Sequence, residues 1–159
     1  MLPTCFISYS WDSEEHKGWV RLLAELLQKN GVTVYLDQWD IFPGADLTYY
    51  METHIRESNY VLLICTPAFA QKANIRRGGV GYEQNVVTGE LFEGTTSPGK
   101  FVPILRIGDP QNSLPSYLRS RVYIDFRDEG AFATNLESLL RHLHSSPRYF
   151  RPPPGPRPR

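Results

Sequence analysis

The sequence carries no excess charge, little cysteine and no long apolar run, and each shortage removes a class of protein. Seventeen Lys and Arg balance seventeen Asp and Glu, for a formal net charge of zero. The chain therefore lacks the positive field that holds a nucleic-acid backbone, and nucleic acid is not expected as a direct ligand. No stretch reaches the roughly 20 apolar residues that span a bilayer. The opening Met1-Leu2-Pro3-Thr4 has neither the basic region nor the apolar core of a leader. These readings predict a soluble, cytoplasmic protein with no membrane partner.

The only cysteines, Cys5 and Cys65, each sit inside an apolar run that reads as a core strand. Free, reduced thiols occupy such positions, so no disulfide is expected. Metal ligands are equally scarce. His142 and His144 stand two residues apart on a predicted helix and point to different sides, with no cysteine cluster nearby. No metal ion and no resident cofactor are expected.

Against these shortages stand 41% hydrophobic and 13% aromatic residues in a chain of 159, enough for the core of one domain. Thr4 to Tyr9 is short, apolar and rich in β-formers, and stops at Ser10-Trp11-Asp12-Ser13; it predicts a buried first strand. From Glu14 to Asn30 apolar residues recur at helical spacing, with Ser13 as N-cap and Gly31 as terminator, which predicts a helix. Val32–Leu36 reads as a second strand, Asp37–Ala45 as a loop around Pro43-Gly44, Leu47–Ser58 as a helix and Tyr60–Cys65 as a third strand. An irregular stretch containing Arg76-Arg77-Gly78-Gly79-Val80-Gly81 follows, then a helix from Tyr82 to Phe92. Strands at Phe101–Leu105 and Val122–Ile124 and a helix at Phe132–Leu143 complete the pattern.

Apolar strands alternating with helices imply a parallel sheet covered on both sides. The fold class predicted is α/β, a flavodoxin-like three-layer sandwich with a five-stranded parallel sheet, occupying residues 1–146. Residues 147–159 are dominated by Pro and Arg and cannot pack; they read as a tail or as the start of an interdomain linker.

In an open parallel sheet ligands bind outside the carboxyl ends of the strands. The loop after the first strand offers Ser8, Tyr9, Ser10, Trp11 and Asp12. The loop after the second offers Asp37, Gln38, Trp39 and Asp40, and the third region leads through glycines to Tyr82 and Glu83. All three are expected to converge on one cleft. The tryptophans either pack back on the domain or cover a ligand. Glu83 can serve a helix dipole, or it can stabilise an oxocarbenium-like transition state beside a ribose. NAD suits the second role, because its nicotinamide leaves as a neutral base and needs no general acid, while aromatic walls hold the cationic ring. Phosphotransfer of the receiver type is excluded by a third strand ending Ile64-Cys65-Thr66-Pro67 without an aspartate. The run Gly78-Gly79-Val80-Gly81 follows no strand directly and lacks the Lys and Ser/Thr of a phosphate-binding loop.

Phe6-Ile7-Ser8-Tyr9-Ser10-Trp11-Asp12 resembles the opening motif of TIR and SEFIR domains. Val34-Tyr35-Leu36-Asp37-Gln38-Trp39 is similar to the approach to the family's BB loop, and Gly79-Val80-Gly81-Tyr82-Glu83 to the glycine-then-glutamate segment of bacterial SEFIR-like members. The resemblance covers Thr4 to His144. It implies NAD as substrate, Glu83 as the catalytic residue, and nicotinamide with ADP-ribose or a cyclic form as products. Ser8, Tyr9, Ser10, Trp11, Asp37, Trp39, Asp40 and Tyr82 fall on segments that line the family's nucleotide cleft. It further implies an NADase gated by packing of TIR domains through the BB loop, working in bacterial antiviral immunity under a C-terminal sensor domain or partner. The segment Arg76 to Gly81 departs from the tryptophan- or cysteine-containing helix of animal and plant members. Two alternatives stay open: a non-enzymatic TIR adaptor, and an enzyme similar to nucleoside deoxyribosyltransferases.

Overall fold

A computed structural model describes residues 1–75, 84–93 and 97–159, with Glu90 described by its backbone alone. Five strands, β1 (Thr4–Tyr9), β2 (Thr33–Tyr35), β3 (Tyr60–Cys65), β4 (Phe101–Leu105) and β5 (Ile124–Asp125), make one sheet in the order β2-β1-β3-β4-β5. Every pairing is parallel. The helices are α1 (Glu14–Lys29), α2 (Asp37–Asp40), α3 (Leu47–Glu57), α4 (Pro67–Ala73), α5 (Gly89–Glu93), α6 (Pro110–Ser113) and α7 (Phe132–Leu143). This is the five-stranded flavodoxin-like arrangement that the alternation of elements predicts.

The sheet is buried on both faces because strand side chains alternate and both sets are apolar. Cys5, Ile7 and Tyr9 of β1 join Leu62, Ile64 and Ile104 against Val20, Leu23 and Leu27 of α1 and Leu139 and Leu143 of α7. Phe6, Val61, Leu63 and Cys65 face the other way, onto Met51 and Ile55 of α3 and Phe69 and Ala73 of α4. Close packing of this kind makes a truncation such as Leu62→Ala cost about 2–5 kcal/mol. No helix among the described residues is long and apolar enough to cross a membrane.

Helix α1 starts where the sequence predicts. Ser13 Oγ accepts from the His16 amide at 3.0 Å, Glu14 and Glu15 occupy the first turn, and Lys29 the last. Such caps satisfy orphan amides and complement the helix dipole. The chain then turns through Gly31 at φ 86°, a conformation that glycine adopts without strain.

Four boundaries differ from the sequence reading. Pro67–Ala73 is helical rather than irregular, since Thr66 caps it by accepting from the Phe69 amide at 3.1 Å and Pro67 sits in its first turn, where a missing N–H costs nothing. The expected loop from Asp37 begins with the helical turn α2, which Asp40 steadies by accepting from the Leu36 amide at 3.1 Å. Of the helix expected over 82–92, the described part is helical only in α5, because Asn85 and Val87 are bound to β1 instead. The last strand lies at Ile124–Asp125, beyond the exposed Val122. Residues 147–159 form neither helix nor strand and are exposed.

Candidate active site

The strand order reverses between β1 and β3, which makes their carboxyl ends the expected binding crevice. There Ser10 Oγ lies 3.4 Å from Thr66 Oγ1 and makes a short hydrogen bond to the Asp12 carboxylate. Three further clusters surround this point.

The first joins the loop after β1 to the turn after β2. Tyr9 Oη donates to Asp37 Oδ1 at 2.6 Å, and Trp11 Nε1 donates to Asp37 Oδ2 at 2.9 Å. Gln38 Nε2 donates to Tyr9 Oη at 3.0 Å and to the Lys17 carbonyl at 2.9 Å. Burial raises the Asp37 pKa above the usual carboxylate range, and the Tyr9 and Trp11 donors counter part of that rise. The Tyr9 phenol is pushed up by burial and by the adjacent Asp37. Both effects follow from placing a carboxylate where water does not reach it.

The second cluster braces the loop between α2 and α3. Asp40 Oδ2 accepts from Tyr50 Oη at 2.7 Å as well as from Leu36. Tyr50 stands edge-on to His54, which packs 4.2 Å from the Tyr35 ring. Asp40 thereby ties α2 to α3.

The third cluster fixes the chain just after Glu83. Asn85 is fully buried. Its carbonyl accepts from the Tyr9 amide at 2.8 Å and from Ser8 Oγ at 2.9 Å, and its Nδ2 donates to the Ile7 carbonyl at 2.8 Å. The Val87 amide donates to Ser8 Oγ at 2.9 Å, and the Trp11 amide to Gln84 Oε1 at 2.8 Å.

Of the residues singled out in the sequence, Ser8, Tyr9 and Ser10 are fully buried, with their polar atoms engaged inside the protein. Asp37 is buried too, whereas Trp11 and Trp39 are 42% and 41% exposed. Trp11 packs back on the domain in part, its N–H tied to Asp37, while part of the residue stays exposed. Tyr82 and Glu83 lie outside the described residues.

One pair escaped the sequence reading. Arg106, the first residue after β4, donates from its NH1 to His16 Nδ1 at 2.8 Å and stacks 4.8 Å from the Trp19 ring centre. His16 is buried, and its Nε2 has no partner among the described residues. Burial lowers its pKa, and Arg106 lowers it further against the opposing pull of Asp12 and Glu15. Arg106 could have been flagged by its place at a strand's carboxyl end. His16 could not, because it sits on a helix whose other polar residues are solvated. His142 and His144, in contrast, are exposed and reach separate backbone carbonyls, those of Gly99 and Asn30, at 2.9 and 2.8 Å.

The chain matches the profile of a family described as TIR domain over residues 5–140. It belongs to the TIR domain family. The crystal structure of a prokaryotic SEFIR domain superposes on this TIR domain with a TM-score of 0.78 and 36% identity, covering 96% of this chain and 99% of that one. The TIR domain of the Toll-related receptor TRR-2 from Hydra magnipapillata superposes with a TM-score of 0.62 at 20% identity, covering 88% and 97%, which speaks for the fold alone. Among curated proteins, the 2′ cyclic ADP-D-ribose synthase BtTIR of Bacteroides thetaiotaomicron is 34% identical over 67 residues. That match spans 42% of this chain and 23% of the relative's length.

Proposed function

We propose that this TIR domain cleaves the N-glycosidic bond of NAD, with Glu83 as the catalytic carboxylate and nicotinamide as the leaving group. One observation carries the reading. The residues following Glu83 are held to the carboxyl end of β1, at the switch point, by five hydrogen bonds. Glu83 itself lies outside the described residues, and its assignment to this crevice draws on its adjacency in sequence to Gln84. A carboxylate there would stabilise positive charge developing on the ribose as the neutral pyridine departs. The half-exposed rings of Trp11 and Trp39 would receive the flat, cationic nicotinamide. Ser8, Tyr9, Ser10 and Asp37 support this wall from behind, and Asp40 the loop beside it. Tyr82 is assigned to the same cleft by sequence adjacency.

The relative named as a cyclic ADP-ribose synthase supports NAD-processing chemistry and allows a cyclic product. In the intact protein the domain would act as an effector switched on by self-assembly, in a bacterial immune or cell-suicide response, under a C-terminal sensor or partner. A second reading, a TIR adaptor without turnover, draws on the exposed aromatics Phe42 and Tyr49 flanking the loop after α2, at 66% and 69%.

The test is NAD loss and nicotinamide release by the dilute and the artificially clustered chain, beside Glu83→Gln. The expected result is turnover on clustering and a loss on the order of 10²-fold or more in the variant. Absence of turnover in every clustered state favours the adaptor, and undiminished turnover in Glu83→Gln removes Glu83 from the chemistry.

A further inference from the structure

We propose that the cleft at the amino-terminal end of the sheet is a second ligand site, which takes a small phosphate monoester with its phosphate on Lys100. The inference stands apart from the NAD-cleaving reading. A cavity of about 580 Å³ opens there between the residues before β1, the start of β3, the chain leading into β4 and the end of α7. Sites that hold small molecules have about this size, roughly 300–1,000 Å³. The length of β1 puts it about 20 Å from the crevice at the carboxyl ends. Its ionisable side chains are Lys100, His144 and Tyr60, and no Asp or Glu is among the described residues lining it. A neighbouring cavity of about 500 Å³ shares Tyr60 and Ser145 and adds Arg141, His142 and Arg148, again without a described carboxylate. This end is basic in a chain whose charges balance. Glu137 partly neutralises Arg141 and Arg148, at 3.0 and 3.3 Å, so Lys100 is the cation that defines the site.

Lys100 is only 8% exposed, and the backbone fixes its place. Its amide donates to the Ser97 carbonyl at 3.2 Å, and its carbonyl accepts from the Val61 amide at 2.8 Å. Nζ donates to the Arg56 carbonyl in the last turn of α3 at 3.1 Å, which uses one of the three donors of an ammonium. Bonding the end of a helix does not require burial, since an exposed lysine does the same without losing its hydration. Burial lowers the Lys100 pKa, as happens where a charge gives up water for incomplete compensation. An anion in the cleft supplies what is missing.

Two neighbours add donors from other sides. Asn59 Oδ1 accepts from the Thr4 amide at 2.8 Å and from Thr4 Oγ1 at 3.1 Å. A backbone amide only donates, so this contact fixes the orientation of the Asn59 amide and leaves its Nδ2 donors unused by it. Ser145 ends α7 at φ 52°, while the Ser145 and Ser146 amides donate to the His142 and Arg141 carbonyls at 3.1 and 2.8 Å. Glycine is usual in such a terminator, because a side chain is strained in the left-handed region. Serine keeps the strain and puts a hydroxyl-bearing residue where the two cavities meet. A phosphate monoester accepts hydrogen bonds on three oxygens at once and carries up to two charges, which suits donors arriving from β3, β4 and α7. Half-buried Tyr60 offers a wall for the organic part.

The experiment titrates the wild-type chain with AMP, ribose 5-phosphate and adenosine while backbone amide resonances are followed by NMR. The expected result is saturable shifts at Asn59, Tyr60, Lys100 and Ser145 with both phosphates, at millimolar concentration or below, and none there with adenosine. Lys100→Gln keeps an N–H donor and removes the charge. It should weaken the phosphates on the order of tenfold or more while the spectrum away from the cleft is retained. Shifts at Trp11 and Asp37 report the opposite end of the sheet and should be indifferent to Lys100→Gln.

Absence of saturable shifts around Lys100 with either phosphate overturns the inference, as do shifts confined to Trp11 and Asp37. Adenosine binding as well as AMP overturns it too, and so does undiminished binding by Lys100→Gln. Should Lys100→Gln fail to fold, Ser145→Gly decides in its place. That variant relieves the left-handed strain and should raise the thermal midpoint while it weakens the phosphates. Equal affinity in the more stable Ser145→Gly then overturns the site.

Discussion

Trp11 and Asp37, 26 residues apart, are joined by an indole N–H donating to a buried carboxylate oxygen at 2.9 Å, while Tyr9 holds the other oxygen at 2.6 Å. This carboxylate ties the loop after β1 to the turn after β2. Hydrogen bonds to charged groups contribute about 1.5–3 kcal/mol. Asp37→Asn leaves one acceptor for two donors and turns an amide toward one of them, so a loss of about 1–3 kcal/mol is expected. Urea unfolding measures the loss, and a shift in tryptophan emission would report release of the Trp11 ring.

Acid stability depends on His16 and Asp37 with opposite signs. Burial lowers the His16 pKa, with Arg106 adding to the effect, so the fold disfavours the protonated ring. Its contribution is complete above the ordinary imidazole value of about 6.5 and is lost as pH falls toward the folded value. His54 is lowered by burial in the same sense. Asp37, raised by burial, gains stability as pH falls through its own folded value. His16→Asn keeps an acceptor for Arg106 but does not titrate. Denaturant midpoints measured from about pH 7.5 down to about pH 5 should therefore fall less steeply in His16→Asn than in the wild type.

Two glycines with left-handed backbones should respond differently to alanine. Gly108, at φ 88°, would set a Cβ against the side chains of Ser113, Asn112 and Pro67, the last at 3.1 Å. A Cβ at Gly44, where φ is 94°, would meet nothing within 4 Å among the described residues. Left-handed backbone costs an L-residue about 1–2 kcal/mol. Gly44→Ala should lose about that much, and Gly108→Ala clearly more, as read from thermal unfolding midpoints.

Phe42 lies on the exposed loop between α2 and α3 and supports little of the core. Phe42→Ala should leave folding stability within about 0.5 kcal/mol of wild type. If this loop mediates assembly, the same variant requires a higher concentration for self-association in sedimentation velocity and for any NAD turnover. Equal association curves would dismiss the loop from that role.

Cys5 and Cys65 are buried, and burial pushes their thiols up, Cys65 to about 12. Thiolate is the reactive form. Both should resist a disulfide reagent at pH 8 in the native protein and react promptly in denaturant.

The elements with one local cause were legible before any coordinates. Ser13, the apolar stripe of α1 and Gly31 mark that helix from cap to terminator, and the apolar runs of β1 and β3 announce a sheet covered on both faces. Pro67–Ala73 was obscured by the glycines after it, although Thr66-Pro67 is a start signal in its own right. Gln84–Thr88 reads as helix by composition. It is not helical because the Asn85 carbonyl and the Val87 amide find partners on β1, and a pattern read along the chain contains no information about those.

The sequence by itself determined the α/β class, the parallel sheet and the buried thiols. Each of these follows from hydrophobic periodicity and from residue types acting within about a dozen positions of one another. Only the tertiary structure decided that Ser8 and Asn85 fasten one segment to one strand, that Tyr9 and Trp11 share a single carboxylate, and that Arg106 reaches His16 across 90 residues. Hydrogen bonds act over about 3 Å. Which groups come within that distance is fixed by the packing of helices on the sheet, where the largest share of the apolar surface is removed from water.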